Sequence, residues 1–363
     1  MNASLDFSAI IEPLLAWYAD DHRSLPWRDD PTPYHVWLSE IMLQQTRIEA
    51  VLPYYHRFLA TCPDVATLAA IDDDALMKLW QGLGYYSRAR NLKKAAQVIM
   101  TQHGGIFPAD YTALRALPGV GDYTAGAIAS IAFGLPEPAV DGNVLRVIMR
   151  LSADNADILA DNVKKRVRDQ LRDIYPRQSE RAAAMTQALM ELGQRVRIPN
   201  GQPHCDRCPL GAFCKARAAD LTHSIPYRAP KKPRRIEERT ILLLCRDEQQ
   251  PDGTHIMRYA IRKRPAKGLL ASLWEFPSVD GHLSPSEAQN AAQAICGPLN
   301  VRDTEKLPAA THIFTHIEWH MHGYRIFCHA ELGASDLLWV SADELHSVYA
   351  LPSAFRAYLA EIK

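Results

Sequence analysis

An excess of charge of either sign is missing from this chain: its 363 residues carry 41 Lys and Arg against 41 Asp and Glu. Bulk attraction to a polyanion is therefore excluded, and any contact with nucleic acid has to come from backbone amides and local groups of Arg or Lys. Long apolar runs are missing too, and no stretch approaches the ~20 residues of a membrane-spanning helix. The opening segment from Met1 to Leu15 has neither a basic start nor a long apolar run, and it is poor in arginine. Neither a secretory signal nor a transit peptide is expected there. The seven cysteines are odd in number and three of them are clustered, which does not make a disulfide framework. A reducing, cytoplasmic setting follows as the expectation. Internal repeats and low-complexity tracts are not evident.

Hydrophobic residues make up 47% of the chain, enough for real cores, and its length predicts more than one domain. Residues 1–223 read as helical throughout, with apolar residues at helix spacing in Ile10–Tyr18, Leu76–Leu83 and Ile128–Ile131. Asp64, Asp72 and Ser179 mark helix starts. Residues 224–236 form a proline-rich basic linker that includes Lys231 and Lys232, predicted to be extended and able to lie along a duplex. From 237 to 363 the period changes. Thr240–Cys245, His255–Ile261, His312–Phe314 and His322–Phe327 read as strands; Ser284–Cys296, Ala342–His346 and Pro352–Ile362 read as helices. The fold class is thus multi-domain, an all-α domain followed by an α+β domain.

Chemistry is suggested first by the segment from Leu117 to Ala127. Gly119 and Gly121 flank Val120 in a tight turn after Leu117, and a helix is predicted to begin at Tyr123 or Thr124. Such a helix start favours anions. The pattern reads as a helix–hairpin–helix, which grips nucleic-acid backbone and carries no base code. Asp141 follows in Val140–Val144, so a carboxylate stands just beyond a phosphate grip. Upstream, Glu40 lies inside the apolar helix Val36–Thr46. Burial raises a carboxyl pKa and suits it to act as a general acid near neutral pH. Gln44, Gln45 and Thr46 end that segment in a polar cluster suited to reading a base edge or wedging into a duplex.

Four blocks together, Trp37–Thr46, Gly82–Leu92, Leu117–Ala127 and Val140–Arg146, resemble the adenine DNA glycosylases of the MutY type, and the resemblance runs from about Leu25 to the end of the chain. It implies removal of adenine mispaired with 8-oxoguanine or guanine in duplex DNA, by a protein acting as a monomer with no membrane partner. By resemblance, Glu40 protonates the everted adenine and helps place water, and Asp141 stabilises the oxocarbenium ion. Tyr123 and Asn143 position these groups, and Arg28 stands near the adenine pocket. Gln45 and Tyr85 enter the base stack, with Ser87 beside Tyr85. Two carboxylates about one glycosidic bond is also what the chemistry asks for. Asp122, where many relatives carry Arg or Pro, is expected to weaken the phosphate grip slightly. In relatives of the endonuclease III type, a lysine stands at the position of Tyr123 and forms a Schiff base with the sugar. A tyrosine there implies base removal without efficient strand cleavage.

Cys205, Cys208 and Cys214 have metal-ligand spacing within residues 195–215. The resemblance implies a fourth cysteine upstream and a [4Fe–4S] cluster. Arg197 occupies that position, and arginine offers no lone pair. Three arrangements are open: a labile iron–sulfur site on three cysteines, zinc completed by His204 or His223, or free thiols in a loosened loop. Of these, the labile iron–sulfur site is expected. Cys62, Cys245, Cys296 and Cys328 read as buried small apolar residues. Gly268–Pro277 and Leu351–Phe355 resemble the Nudix-like domain of the same family, in which Phe314, Thr315 and His316 match the tip that recognises 8-oxoguanine. The Ser284–Ala294 helix holds only Glu287, so Nudix hydrolase activity is not expected. Two rival readings are an endonuclease III-like enzyme for damaged pyrimidines, and a mispair-binding protein weakened by the missing ligand.

Overall fold

The computed structural model describes residues 6–230, 233–297, 299–330 and 336–362. Lys231 and Lys232 of the proposed linker lie outside the described residues. The chain divides into two compact units, one of residues 1–70 and 90–230, the other of residues 71–89 and 231–363.

The first unit is helical. Its centre is the helix Gly142–Ser152, in which every side chain from Val144 to Leu151 is buried. It packs on the helix Ser179–Arg195. Their close approach needs Gly193, where an added Cβ would come within 2.6 Å of Asn143 Cβ. The helix Pro33–Leu43 begins with Pro33 in its first turn and Thr32 accepting from the His35 amide at 3.2 Å. Every residue from Val36 to Met42 is buried, so this helix has no polar face and Glu40 goes inside with its neighbours. The hairpin is formed by the helices Tyr111–Ala116 and Asp122–Ala127. The second begins one residue earlier than the sequence suggests, because Gly121 supplies the extended cap residue and leaves Asp122 in the first turn. It runs on as a wider π-helical turn, Ile128–Ala132.

Asp64 and Asp72 cap helices as expected, accepting from Thr67 N at 2.8 Å and from Asp74 N at 2.9 Å. Ser179 instead is the first helical residue, after a Gln178 cap. Residues 225–229 are not a free spacer. The Ile158 amide donates to Tyr227 O at 3.1 Å, and Arg150 Nε to Ile225 O at 2.8 Å.

The second unit is built on a sheet of β1 (Arg235–Gln249), β2 (His255–Lys263), β3 (Trp274–Glu275), β4 (Ser278–Asp280), β5 (Leu299–Ile313), β6 (Ile317–Ala330) and β7 (Leu337–Val340). The order is β3-β2-β1-β6-β5, with β4 pairing β1 and β7 pairing β2; only the β1–β6 pairing is parallel. The apolar run in β1 is explained by burial on both faces. Ile241, Leu243 and Cys245 face a core with Phe355 and Tyr358, while Leu242 and Leu244 face the helix Pro285–Cys296 through Ala288 and Ala292. Glu287 folds back in a capping box with Ser284. The expected Pro352–Ile362 helix is shorter: a 3-10 turn Ser353–Phe355, then Arg356–Leu359.

Residues 71–89, which the sequence placed with the helical half, group with the sheet. Polar contacts hold them there: Lys78 Nζ donates to His346 O at 2.6 Å, Gln81 Nε2 to Leu351 O at 2.9 Å, and Lys263 Nζ pairs with Asp74 at 2.8 Å.

Candidate functional site

A cleft of about 750 Å³ in the helical unit gathers Arg28, Glu40, Gln44, Gln45, Thr46, Tyr123, Asp141 and Asn143. The volume suits a small organic group. Glu40 is only 6% exposed, and burial pushes its carboxyl up to about 7. A hydrogen bond from the Tyr123 hydroxyl to Oε2, 2.5 Å long, works against that rise; the negative Asp141 adds to it, and Arg28 lowers it. Glu40 therefore carries a proton over much of the neutral range. Burial and the two carboxylates raise the Tyr123 hydroxyl well above its ordinary value, so it stays a donor.

Asp141 caps the Gly142–Ser152 helix. Its Oδ1 accepts from the amides of Asn143 at 2.9 Å and Val144 at 2.8 Å, and its Oδ2 from Asn143 Nδ2 at 2.5 Å. Burial raises its carboxyl; these three bonds and the Arg146 guanidinium oppose that. A carboxylate at a helix N-terminus is oriented and favoured in its charged form. One pocket thus holds a proton-bearing acid and a second carboxyl fixed in place by three hydrogen bonds.

Sequence reasoning missed Glu191. It is fully buried on the helix Ser179–Arg195, and three arginines converge on it: Arg23 at 2.6 Å, Arg28 at 2.8 Å and Arg195 at 3.5 Å. Against the upward pull of burial, hydrogen bonds from Arg23 and Arg28 hold Glu191 below its usual value. Arg28 is thereby fixed at the cleft wall. A signal was present, since Gln187, Met190, Glu191 and Gln194 follow helix spacing, and all but Glu191 line the cleft.

In the hairpin, Leu117 and Val120 turn inward, and the Val120 amide closes the turn onto Leu117 O at 3.1 Å. Gly119 has φ +74°, and an added Cβ would meet Asn91 Cβ at 2.6 Å, so both conformation and space demand glycine. Gly121 is exposed. Asp122 does not stand bare beside the turn: Arg115, Arg168 and the Tyr111 hydroxyl all hydrogen-bond to it. Its charge is balanced by two guanidinium groups, which revises the expectation of a weakened grip.

Gln45 and Tyr85 share an uncommon backbone, with φ +61° and +46°, and both are exposed. Left-handed non-glycine residues carry strain and concentrate at functional sites. Tyr85 follows Gly82 and Gly84 in the second unit, with Ser87 exposed at the start of the helix Ser87–Gln102. There the Tyr85 hydroxyl lies 3.1 Å from Thr315 Oγ1. Thr315 and His316 sit exposed on the β5–β6 turn, which the Phe314 amide closes onto Ile317 O at 2.8 Å. Phe314 packs edge-on against Trp319, with centroids 4.9 Å apart.

The cysteine loop does not present a four-ligand site. Arg197 is buried among the sulfurs, with Nη2 donating to Cys208 Sγ at 3.3 Å and Nη1 to Cys214 Sγ at 3.7 Å. Cys205 lines the same small cavity. The guanidinium stands where a fourth thiolate would complete the set, so the residues present do not fit a [4Fe–4S] cluster. Among the described residues, no three His, Cys, Asp or Glu side chains are arranged to hold a metal ion, so neither His204 nor His223 joins the cysteines in such a group. The loop is braced rather than loosened. Cys62, Cys245, Cys296 and Cys328 are buried free thiols.

Residues 38–176 match the model of the HhH-GPD superfamily of base excision DNA repair proteins, and residues 253–361 match the NUDIX domain. The adenine DNA glycosylase of Rattus norvegicus is 33% identical over 97% of this chain and 78% of the rat protein. That of Homo sapiens is 32% identical over 95% and 73%. Among solved structures, a thermostable thymine-DNA glycosylase superposes with a TM-score of 0.53 at 25% identity, covering 58% of this chain and 96% of that one. An endonuclease III from a non-covalent DNA complex gives a TM-score of 0.51 at 24% identity, covering 61% and 99%, and so shares the fold. No helix among the described residues is long and apolar enough to cross a membrane.

Proposed function

Because this chain belongs to the adenine DNA glycosylases, enzymes that hydrolyse an N-glycosyl bond, we propose that its cleft excises adenine from 8-oxoguanine:adenine and guanine:adenine mispairs by acid-assisted departure of the base. The adenine leaves the duplex and enters the cleft, at a cost of roughly a few kcal/mol that is lower at a mispair. Glu40 gives its proton to a ring nitrogen of adenine as the glycosidic bond breaks and the bonding electrons pass to the base. The sugar is left as an oxocarbenium ion, which the Asp141 carboxylate stabilises. Glu40, now a carboxylate, takes a proton from the water that adds to the sugar. Asn143 and the helix cap fix Asp141, Tyr123 fixes Glu40, and Arg28, set by Glu191, flanks the base. Tyr123 supplies no amine, so no Schiff base forms and the product is an intact strand with an abasic site.

The Leu117–Gly121 hairpin holds the strand through its backbone. Gln44, Gln45, Thr46, Tyr85 and Ser87 contact the opened duplex, while Phe314, Thr315 and His316 read the oxidised guanine. No step passes through a metal.

The observation that carries this reading is a Glu40 with a carboxyl near 7, hydrogen-bonded by Tyr123, in the same cleft as Asp141. Single-turnover cleavage of an 8-oxoguanine:adenine duplex, read with and without alkali, tests it. Strand breaks are expected only after alkali, and borohydride is expected to trap little covalent product. Glu40→Gln is expected to stop turnover and keep mispair binding. Abundant trapping would favour the endonuclease III-like reading, and binding by wild type without cleavage would favour a mispair-binding protein.

A further inference from the structure

We propose that Arg197 replaces a metal at the cysteine loop, its guanidinium serving as the hub that organises Cys205–Cys214 and ties the loop to the Asp141 side of the cleft. The side chain is 3% exposed. Its two terminal nitrogens reach four acceptors from two parts of the chain: Nη1 donates to Val147 O at 3.3 Å and Cys214 Sγ at 3.7 Å, and Nη2 to Cys208 Sγ at 3.3 Å and Leu210 O at 3.4 Å. A planar fork with fixed donor directions is suited to such a role. The remaining cavity is about 10 Å³, lined by Arg150, Arg197 and the three cysteines among others. That is room for about one water molecule and not for an iron–sulfur cube. Arg150 also borders the site, and its carbonyl accepts from Cys214 Sγ at 3.4 Å. An entering metal cation would have to displace one guanidinium and sit beside a second, at a Coulombic cost.

The main chain of Arg197 extends this hub toward the chemistry. Its amide donates to Leu192 O at 2.8 Å, and its carbonyl accepts from Arg146 Nε. Arg146 Nη2 donates to Asn143 Oδ1 at 2.7 Å and to Gly193 O at 2.6 Å, and Asn143 in turn donates to Asp141. Side-chain contacts thus lock the loop, and a backbone carbonyl passes its position through two residues to the catalytic anion. Arg197 is a positioning residue by this route.

The test uses the full chain produced in iron-supplemented cells. Wild type is expected to carry far less than one iron or zinc per chain and to lack visible iron–thiolate absorption. Its melting temperature is expected to be unmoved by a chelator. Arg197→Met is expected to lower the melting temperature by about 5 °C or more, to increase the number of rapidly reacting thiols, and to lower kcat at nearly unchanged mispair binding. Arg197→Cys, with four thiols, is expected to copurify with more iron than wild type. A wild-type protein with stoichiometric metal, whose removal lowers the melting temperature, would overturn the proposal. So would an Arg197→Met protein equal to wild type in melting and thiol reactivity. If Arg197→Met fails to fold, Arg197→Lys, which keeps the charge and loses the fork, replaces it with the same readings. Metal analysis of wild type needs no variant and does not depend on the glycosylase reading.

Discussion

Replacing Glu40 by Gln should make the protein more stable while it stops turnover, and the gain should depend on pH in a calculable way. Glu40 titrates at about 7 in the folded chain against an ordinary value of 4.5. The folded state therefore binds a proton more tightly than the unfolded state. Stability from this group is fully present below pH 4.5 and is lost as pH rises through about 7. The displacement from 4.5 to about 7 corresponds to roughly 3 kcal/mol. Gln is neutral at every pH, fills nearly the same volume and still offers an oxygen to the Tyr123 hydroxyl, so it escapes this loss. Glu40→Gln should match wild type near pH 4.5 and exceed it by about 3 kcal/mol at pH 8 and above. Urea unfolding of both proteins at half-unit steps from pH 4.5 to 8.5, followed by tryptophan fluorescence, measures the difference directly. A difference that stays flat across that range, or that favours Glu at high pH, would refute a buried acid of raised pKa and remove the basis of the proton transfer.

Three further outcomes follow from the same geometry. Tyr123→Phe removes the hydrogen bond that pulls Glu40 downward, so the alkaline limb of the kcat–pH profile should move to higher pH; an unmoved limb would show that Tyr123 does not act on Glu40, and a move to lower pH would contradict a bond that holds the carboxyl down. Asp141→Asn keeps a good helix cap and loses the anion, so single-turnover excision should fall by a factor of ~100 or more while stability changes by under about 1 kcal/mol; a large fall in melting temperature would mean the residue is mainly structural. Gly119→Ala forces a left-handed Cβ against Asn91 and should cost about 1–3 kcal/mol and weaken binding to any duplex alike, measured by anisotropy on matched and mispaired DNA; a loss confined to the mispair would contradict a backbone grip.

Much of this site is legible in the sequence. Glu40 lies in a largely apolar stretch, and the helix formed there buries it together with Ser39. Asp141 stands out in sequence as the carboxylate just beyond the hairpin, whereas its place as the cap of the Gly142–Ser152 helix is shown by the fold. Glu191 was not legible as buried. Its sequence neighbours are no guide, because the arginines that make its burial tolerable, Arg23 and Arg28, lie 168 and 163 positions away. Arg197 shows a similar limit: its identity was enough to question a fourth ligand, but only the fold shows its guanidinium turned inward onto sulfur. The final helix is shorter than its sequence suggests because the residues after Pro352, Ser353 to Phe355, wind as a 3-10 turn that puts Phe355 in the core.

The grouping of residues 71–89 with the sheet has a consequence for how the chain is made. Asp74 leaves the ribosome 189 residues before Lys263, the partner of its ion pair. At ~5–20 residues per second, that interval is roughly ten to forty seconds. During it the carbonyls of His346 and Leu351, which accept from Lys78 and Gln81, do not yet exist either. Synthesis order alone cannot complete one unit before the other begins, and a gene cut at the linker would orphan a piece of the later unit inside the earlier fragment.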